Sequence, residues 1–347
     1  MMKYSKTDII QNIANFKFND NRLLYSRGDS LRNRKLYLDK NDLNIESISG
    51  YYYFYEKILF NKWSTPEKSY ILNIGDNTIN EINNQRVQGF ISNIIIYRSS
   101  NEDFYFYKNS SFEDLFSSFF YLEIIKDNYG ITYNNQNISK VSFSNETLWS
   151  YPLSSLGKLP YKNENDEVDK ILGIAHGNLW FYTKAGRLIA LDIETGEVTK
   201  KYSYLPEDKK LGYELTPGFG RIFFNEADEN LYALGADYFH IINTKIKSIE
   251  EQYKHSISDP KGMGKYAIYS PLLQGDYFTF IAADQNSARL RFLGLFDIHK
   301  KQLVWEHELF STKDDNELIA PEPLYMSGNK LYVKDFNSNL HIFERQD

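Results

Sequence analysis

The sequence predicts an all-β protein, built as a single β-propeller of four-stranded blades. Short runs of β-forming residues alternate along the chain with clusters of Asn, Asp, Ser and Gly, which is the pattern of strands joined by tight turns. These runs group into units that recur at roughly 40 to 50 residues, the period of propeller blades. Tyr (28) and Phe (24) far outnumber Trp (4) and Met (4), and aromatic side chains favour strands.

One hairpin, at residues 186–198, is the clearest copy of the repeat. Leu188 and Ala190 fall on alternate positions of its first strand, and Gly196 supplies the positive φ that a tight hairpin turn requires. The hairpin belongs to a unit of four predicted strands. Such units cover residues 171–202, 221–253 and 266–308.

The last unit, residues 322–343, contains only three predicted strands. A segment within residues 9–18 is expected to pair with residues 339–343 and close the ring, which removes an exposed sheet edge. We predict seven blades, with eight as the alternative, because residues 85–150 can be divided in two ways. The whole chain, residues 1–347, is then one domain.

Residues 110–120 interrupt the strand pattern. Ser110 and Glu113 make a capping-box pattern, and the apolar residues that follow fall at helical spacing. We predict a short helix inserted at a blade edge, with a plain strand as the alternative. The apolar residues are Phe112, Leu115, Phe116 and Phe119.

Composition limits the classes of function. A formal net charge of -6 argues against general nucleic-acid binding, which requires a basic face. The absence of cysteine excludes disulfides, cysteine–zinc sites and thiol nucleophiles. Residues 1–12 lack the apolar segment of a signal peptide, and no run is long enough to cross a bilayer. We therefore expect a soluble, cytoplasmic protein.

The polar residues give no catalytic or metal-binding pattern. The six histidines are scattered, and no two have a metal-binding spacing. Asp192, Asp297 and Asp335 recur at equivalent or near-equivalent blade positions, which favours a turn-stabilising function over catalysis. No catalytic, cofactor-binding or metal-binding residue is assigned.

Residues 188–198 resemble the repeat of the quinoprotein-type (PQQ-like) β-propellers. That repeat has a small residue, Leu, Asp, two spacers, Thr-Gly and a later tryptophan. This chain has Lys200 where the tryptophan is usual, whereas other units keep Trp149 and Trp305. The resemblance implies that these residues lock neighbouring blades together. The matching residues are Ala190, Leu191, Asp192, Thr195 and Gly196.

Enzymatic members of that family hold a quinone cofactor, calcium, a catalytic aspartate and usually a pair of adjacent cysteines. This chain has no cysteine, and no stretch matches the calcium ligands or the catalytic aspartate. The resemblance therefore implies the fold, and we expect no cofactor.

Four connections in the second half of the chain are long: residues 154–169, 205–217, 254–265 and 311–321. Each of them links the outermost strand of one blade to the next blade, and all connections of this kind emerge on one face of a propeller. Long loops on one side of a scaffold are where binding residues concentrate. Three of the four are rich in acidic residues, although ordinary solvated loops remain the alternative. The candidate partner-binding residues are Glu164, Asp166, Glu167, Asp169, Tyr204, Glu207, Asp208, Tyr213, Phe219, Asp314, Asp315 and Glu317.

These observations favour a non-enzymatic, intracellular protein-binding propeller whose acidic loop rim engages a basic protein. By analogy with small, cysteine-free bacterial propellers that neutralise a toxin, an immunity protein is one form this function could take, and outside such a complex we expect a monomer. The alternative is a propeller that uses its central channel to bind a small molecule or carbohydrate, or to act as a hydrolase or lyase.

Overall fold

Strands dominate the protein and follow one another in small sheets. In the computed structural model, the helical segments of the described residues are two short 3-10 turns, Leu153–Leu156 and Pro206–Leu211. No helix in that part of the chain combines the length and the apolar character needed to cross a membrane. The structure describes residues 2–19, 22–54, 56–63, 68–82, 85–91, 94–99, 104–108, 113–118, 121–235, 238–254, 266–284, 289–311 and 318–346.

The chain divides into two units, residues 1–120 with 310–347 and residues 121–309. The first unit opens with β1 (Lys3–Ile10), β2 (Ile13–Asn19), β3 (Arg22–Arg27), β4 (Lys35–Leu38), β5 (Asn41–Glu46), β6 (Ile48–Phe54), β7 (Lys57–Lys62), β8 (Lys68–Asn73), β9 (Ile79–Ile82), β10 (Gln85–Ile91), β11 (Ile94–Ser99), β12 (Phe104–Lys108) and β13 (Glu113–Ser118). Three four-stranded antiparallel sheets result, β2–β5, β6–β9 and β10–β13.

The second unit contains β14 (Ile124–Lys126), β15 (Tyr129–Tyr133), β16 (Asn137–Ser142), β17 (Thr147–Pro152), β18 (Val168–Ala175), β19 (Asn178–Thr183), β20 (Leu188–Asp192), β21 (Val198–Ser203), β22 (Glu214–Leu215), β23 (Arg221–Asn225), β24 (Asn230–Leu234), β25 (Tyr238–Asn243), β26 (Ser248–Lys254), β27 (Tyr266–Gln274), β28 (Tyr277–Asp284), β29 (Leu290–Asp297) and β30 (Gln302–Glu308). They form the sheets β14–β17, β18–β22, β23–β26 and β27–β30. The short strand β22 adds a fifth, parallel member beside β21.

The last sheet joins strands from both ends of the first unit. Its other strands are β31 (Tyr325–Ser327), β32 (Lys330–Lys334) and β33 (Leu340–Gln346). β1 pairs with β33 in antiparallel fashion, with Ile9 opposite His341 and Ile10 opposite Leu340. The predicted closure by N- and C-terminal strands is therefore confirmed.

The closing strand lies earlier in the chain than the expected segment, residues 9–18. Asn12 turns the backbone with a φ of 58°, and β2 then begins the next sheet. Ile13 and Phe16 on β2 are buried among apolar residues that include Leu23 and Tyr25 of β3. Because burial of these side chains fixes β2 against β3, only the residues before the turn are available to β33.

Eight sheets are formed by the described residues, seven with four strands and one with five. The stretch at residues 85–150, which the sequence allowed to be divided in two ways, contributes β10–β13 and the greater part of β14–β17. The strands therefore follow the eight-blade alternative. The prediction of one domain over residues 1–347 stays a prediction.

The helix expected at residues 110–120 is wrong, because residues 113–118 form strand β13. Phe106 of β12 lies opposite Phe116, but Tyr107 lies opposite Asp114, which leaves Leu115 as an extra residue. Such a β-bulge resets the alternation of side chains along a strand. With this extra residue, the adjacent apolar residues Leu115 and Phe116 break the two-residue period of a regular strand. The remainder of that segment lies outside the described residues.

Contacts between neighbouring sheets use residues of the repeat. The indole Nε1 of Trp149 on β17 donates to the carbonyl of Ile193, 2.9 Å away in the turn after β20. Gly196 in the same turn has a φ of 74°, and a Cβ there would come within 2.8 Å of the Trp149 ring. The Tyr202 hydroxyl on β21 makes the corresponding contact one sheet further, with the carbonyl of Lys247 at 2.6 Å. At these two places in the second unit, a sheet thus holds a turn of the next sheet.

The repeated aspartates stabilise turns, as expected from the sequence. Asp192 Oδ1 accepts hydrogen bonds from the backbone N–H groups of Glu194 and Thr195, both at 2.9 Å. These bonds, chiefly the one from Thr195, hold the pKa of Asp192 below its usual value. Asp297 accepts two backbone N–H groups of its own turn, and Asp335 accepts one.

Candidate functional site

A buried arginine, Arg187, lies at the base of two long connections. Its Nε and Nη2 atoms donate to the two carboxylate oxygens of Asp208, each at 2.7 Å. Its Nη1 atom donates to Asp166 Oδ2 at 2.7 Å and to the Lys158 carbonyl at 3.1 Å. Asp208 also accepts a hydrogen bond from the Ser203 hydroxyl at 2.5 Å. We call Arg187, Asp166, Asp208 and Ser203 the Arg187 cluster.

The Arg187 cluster fixes two connections that the sequence predicts to be loops. Asp166 belongs to the connection at residues 154–169, and Asp208 to the connection at residues 205–217. A bidentate arginine–carboxylate pair has a narrowly defined geometry. Because one guanidinium holds both carboxylates, the two connections take fixed positions relative to each other.

The charges of the cluster are compensated inside the protein. Burial lowers the pKa of Arg187, but hydrogen bonds to Asp208 and then Asp166 more than offset that effect and leave the pKa raised. Asp166 Oδ1 also accepts the backbone N–H groups of Glu167 at 2.9 Å and Ala185 at 3.0 Å. A buried ion cluster is tolerated only when its members are paired in this way, and removal of one partner leaves an uncompensated charge.

The first connection presents an aromatic side chain at its tip. Its arms meet at a β-bridge between Lys158 and Asn165, and the backbone N–H of Leu159 donates to the Glu164 carbonyl at 3.0 Å. Tyr161 at the tip has a φ of 64°, a left-handed conformation that is unfavourable for a bulky residue. Its side chain is fully exposed, at 106% relative accessibility.

The second connection presents aliphatic side chains. Pro206–Leu211 form a 3-10 turn that ends at Gly212, which has a φ of 80°, and β22 then pairs beside β21. Leu211 and Leu215 are exposed, as is Tyr204 at the start of the connection. We call Tyr161, Tyr204, Leu211 and Leu215 the apolar rim.

Four of the twelve predicted partner-binding residues are not at the surface, and this corrects the sequence-based expectation. Asp166 and Asp208 are buried because they are the counter-charges of Arg187. Tyr213 is buried beside the guanidinium, 5.9 Å from the ring centroid to the Arg187 Cζ atom. Phe219 is fully buried in a core cluster. None of the four can contact a partner without unfolding its surroundings.

Five other predicted residues lie at or near the surface: Glu164, Glu167, Asp169, Tyr204 and Glu207. Glu167 pairs with Lys184 at 2.6 Å, and Glu164 lies 3.8 Å from Lys162. Lys209 and Lys210 are also exposed. The exposed charged residues of these two connections are therefore balanced in sign rather than acidic overall. The remaining three predicted residues, Asp314, Asp315 and Glu317, lie outside the described residues.

Sequence reasoning missed Arg187, Tyr161, Leu211 and Leu215. Arg187 carried a usable signal, because it directly precedes the apolar run of β20, and a charged residue at the edge of a buried strand requires a partner. Nothing in the sequence marked the other three as exposed. A metal site has no support here, since no group of three or more acidic or histidine side chains could hold an ion in the described ranges.

Solved structures show that the fold is a β-propeller. The chain matches the C-terminal WD40 domain of Sif2 with a TM-score of 0.58 and 10% identity over 99% of both chains. It matches BamB from Moraxella catarrhalis with a TM-score of 0.53 and 11% identity, covering 99% of this chain and 100% of the other. Sqt1 from Saccharomyces cerevisiae gives a TM-score of 0.54 and 10% identity, covering 99% of this chain and 98% of the other. At these identities the likeness establishes the fold alone.

A curated protein supports the type of repeat. The dehydrogenase subunit of the quinone alcohol dehydrogenase from Gluconobacter oxydans (strain 621H) is 30% identical over 89 residues. This match spans 24% of the present chain and 12% of that protein. It confirms the resemblance to quinoprotein-type repeats. No protein-family profile matches the chain.

Proposed function

We propose that this protein is a protein-binding propeller and that the apolar rim is its contact surface. The observation that carries this proposal is the pairing of exposed apolar side chains with a buried ion cluster beneath them. Tyr161 and Leu211 belong to different connections, both held by Arg187. Because the connections that carry these anchors are already fixed, less conformational entropy is lost on binding, which raises affinity.

The chemistry of the rim fits a protein surface. Tyrosine is among the residues that most often dominate protein interfaces, because it combines a large apolar face with a hydroxyl group. Tyr161 extends fully into solvent in a conformation that is unfavourable for its residue type. Backbone conformations of that kind persist where the surrounding structure holds them, and they concentrate at functional sites. Lys162 and Glu164 flank it and supply the polar edge that surrounds an apolar anchor in an interface.

The test compares two exposed tyrosines of the same unit. Tyr161→Ala removes the rim anchor, and Tyr269→Ala is the matched control on β27, since Tyr269 is also exposed. Proteins that co-purify with the wild type are identified by mass spectrometry, and the partner is then expressed and its affinity measured. Tyr161→Ala is expected to weaken binding by about tenfold or more, with Tyr269→Ala unchanged. Equal affinities of the wild type and Tyr161→Ala would reject the rim as the contact surface.

The finer proposal is that the partner is a basic toxin neutralised in the cytoplasm by a monomeric immunity protein. Its support is limited to the acids Asp169 and Glu207, which are exposed in a surface whose charges are otherwise balanced. Charge reversal at Glu164, Asp169 and Glu207 is expected to slow association and flatten its salt dependence. A partner whose association rate is the same with the triple variant would not be recognised through these charges. Asp166 is left unchanged, because it is needed by Arg187.

A catalytic function is the alternative favoured by the match to the dehydrogenase subunit. It predicts that the purified protein carries a quinone or binds one added to it. Absorbance spectroscopy of the protein, with and without added pyrroloquinoline quinone and calcium, decides between the two functions.

A further inference from the structure

A polar cavity of about 660 Å³ lies in the first unit, next to the junction of the chain's two ends. One wall is the turn between β1 and β2, where the backbone N–H of Ile13 donates to the Ser338 carbonyl at 2.7 Å. The other wall is the connection between β3 and β4. The volume lies within the range of about 300 to 1,000 Å³ that is typical of small-molecule sites.

Arg27 projects from the end of β3 and is the positioned cation of this cavity. Its guanidinium carbon lies 5.7 Å from the ring centroid of Tyr37. Tyr37 in turn stacks on buried Tyr25, with ring centroids 5.2 Å apart and planes 8° from parallel. The stacking restricts the side chain of Arg27 without using the hydrogen-bond donors of its guanidinium.

The described residues offer Arg27 no carboxylate partner. The other cation of the lining, Lys35, pairs with Glu46 at 2.8 Å. The one acidic lining residue, Asp29, is exposed and accepts a hydrogen bond from Asn33, which lowers the pKa of its carboxyl group. A half-buried guanidinium with unused donors favours an anion in the cavity.

The remaining lining is neutral and polar. Asn12, Asn337 and Ser338, whose side chains are amides and a hydroxyl, also line the cavity. Such groups donate to oxygen atoms without adding charge, and they hydrogen-bond the uncharged parts of a polar ligand. The cavity therefore combines one fork-shaped cation with several neutral donors.

We propose that this cavity binds a small polar molecule through an oxyanion group, a carboxylate or a phosphate, held by Arg27. The planar guanidinium of an arginine can bind two oxygens of either group at once. Such charge-assisted hydrogen bonds are stronger than hydrogen bonds between neutral groups. The lining leaves room for more than the anion itself, so the ligand carries further hydroxyl or amide groups. This site shares no residue with the apolar rim, and its proposal does not depend on the proposed function.

The experiment uses the full-length protein with two probes, sodium citrate for the carboxylate and sodium pyrophosphate for the phosphate. Binding is measured by isothermal titration calorimetry, with ionic strength held constant by sodium chloride. Saturable binding of at least one probe is expected, and the probe that binds identifies the anion. Arg27→Gln should weaken it by about tenfold or more. Arg32→Gln, an exposed arginine outside the lining, should leave binding unchanged.

Two further variants guard against a loss of folding. Arg27→Lys keeps the charge but loses the fork and should also weaken binding, and Asn337→Ala should weaken it while leaving the melting temperature of the free protein unchanged. The absence of saturable binding of both probes to the wild type would overturn the proposal. Equal losses in Arg27→Gln and Arg32→Gln would overturn it as well, since they would indicate attraction by net charge alone.

Discussion

Substitution of Arg187 by methionine tests whether the Arg187 cluster holds the two connections in place. The change keeps an apolar stem of similar length but leaves Asp166 and Asp208 buried without their counter-charge. Asp166 retains two backbone N–H donors, whereas Asp208 retains the Ser203 hydroxyl. Asp208 therefore loses more, since both of its oxygens bind the guanidinium at 2.7 Å.

The expected loss in the free energy of unfolding is about 3 to 5 kcal/mol, the usual range when one partner of a buried ion pair is removed. Urea denaturation followed by tryptophan fluorescence measures it, because Trp149 and Trp180 are buried in the same unit. Trypsin supplies a local readout. Cleavage at Lys162 and Lys209, which are exposed in the two connections, should accelerate in the variant.

Two controls make the result specific. Arg221→Met removes an exposed arginine of the same unit and should change stability by no more than about 0.5 kcal/mol. Adding Asp166→Asn and Asp208→Asn to Arg187→Met removes the stranded charges and should restore part of the lost stability. If Arg187→Met loses no more stability than Arg221→Met and trypsin cuts both at the same rate, the reasoning about the cluster is refuted.

Three further predictions concern closure, pH and metals. Deletion of residues 2–10 should lower the melting temperature, since burial of Ile10 contributes about 2 kcal/mol and each lost ladder hydrogen bond about 1 kcal/mol; an unchanged melting curve would contradict closure by β1. Burial raises the pKa of Tyr332 to about 12, above its unfolded value of about 10. The stability that depends on the protonated side chain is therefore complete below about pH 10 and is lost as the pH rises towards 12. Tyr332→Phe should reduce this alkaline loss of stability in denaturation curves. EDTA should leave the melting temperature unchanged, whereas one tightly bound calcium per chain in metal analysis would favour the catalytic alternative.

The fold could be predicted because its signals are local. The turn at Gly196 and the aspartate at Asp192 carry their hydrogen-bonding pattern in a few neighbouring residues, and the missing strand of the last sheet could be counted. The blade count was harder to predict, since bulges such as the one at Leu115 change the phase of the apolar pattern. One such shift breaks the two-residue period by which a strand is recognised in a sequence.

The sequence indicates which connections carry the candidate site, but it does not predict which of their side chains face solvent. The long connections drew attention to the part of the chain that contains the Arg187 cluster, yet the sequence does not distinguish an acid that faces solvent from one that faces inward. Asp166 and Glu167 are neighbours, but only Asp166 turns towards Arg187. That choice depends on a residue 21 positions away, so charge counting along the loop overstated the acidity of the surface.

The closing strand has a consequence for biosynthesis. The Thr7 hydroxyl donates to the Ile342 carbonyl across a sequence separation of 335 residues. At roughly 5 to 20 residues per second, a ribosome needs roughly 15 to 70 seconds to make the partner of β1 after β1 itself has been made. Throughout that interval β1 is a charged, polar strand without its neighbour, and the exposed side chains of Lys3, Ser5 and Lys6 protect it from pairing with other nascent chains. The exposed polar residues of β1 thus limit wrong pairing during translation, and its register with β33 closes the last sheet afterwards.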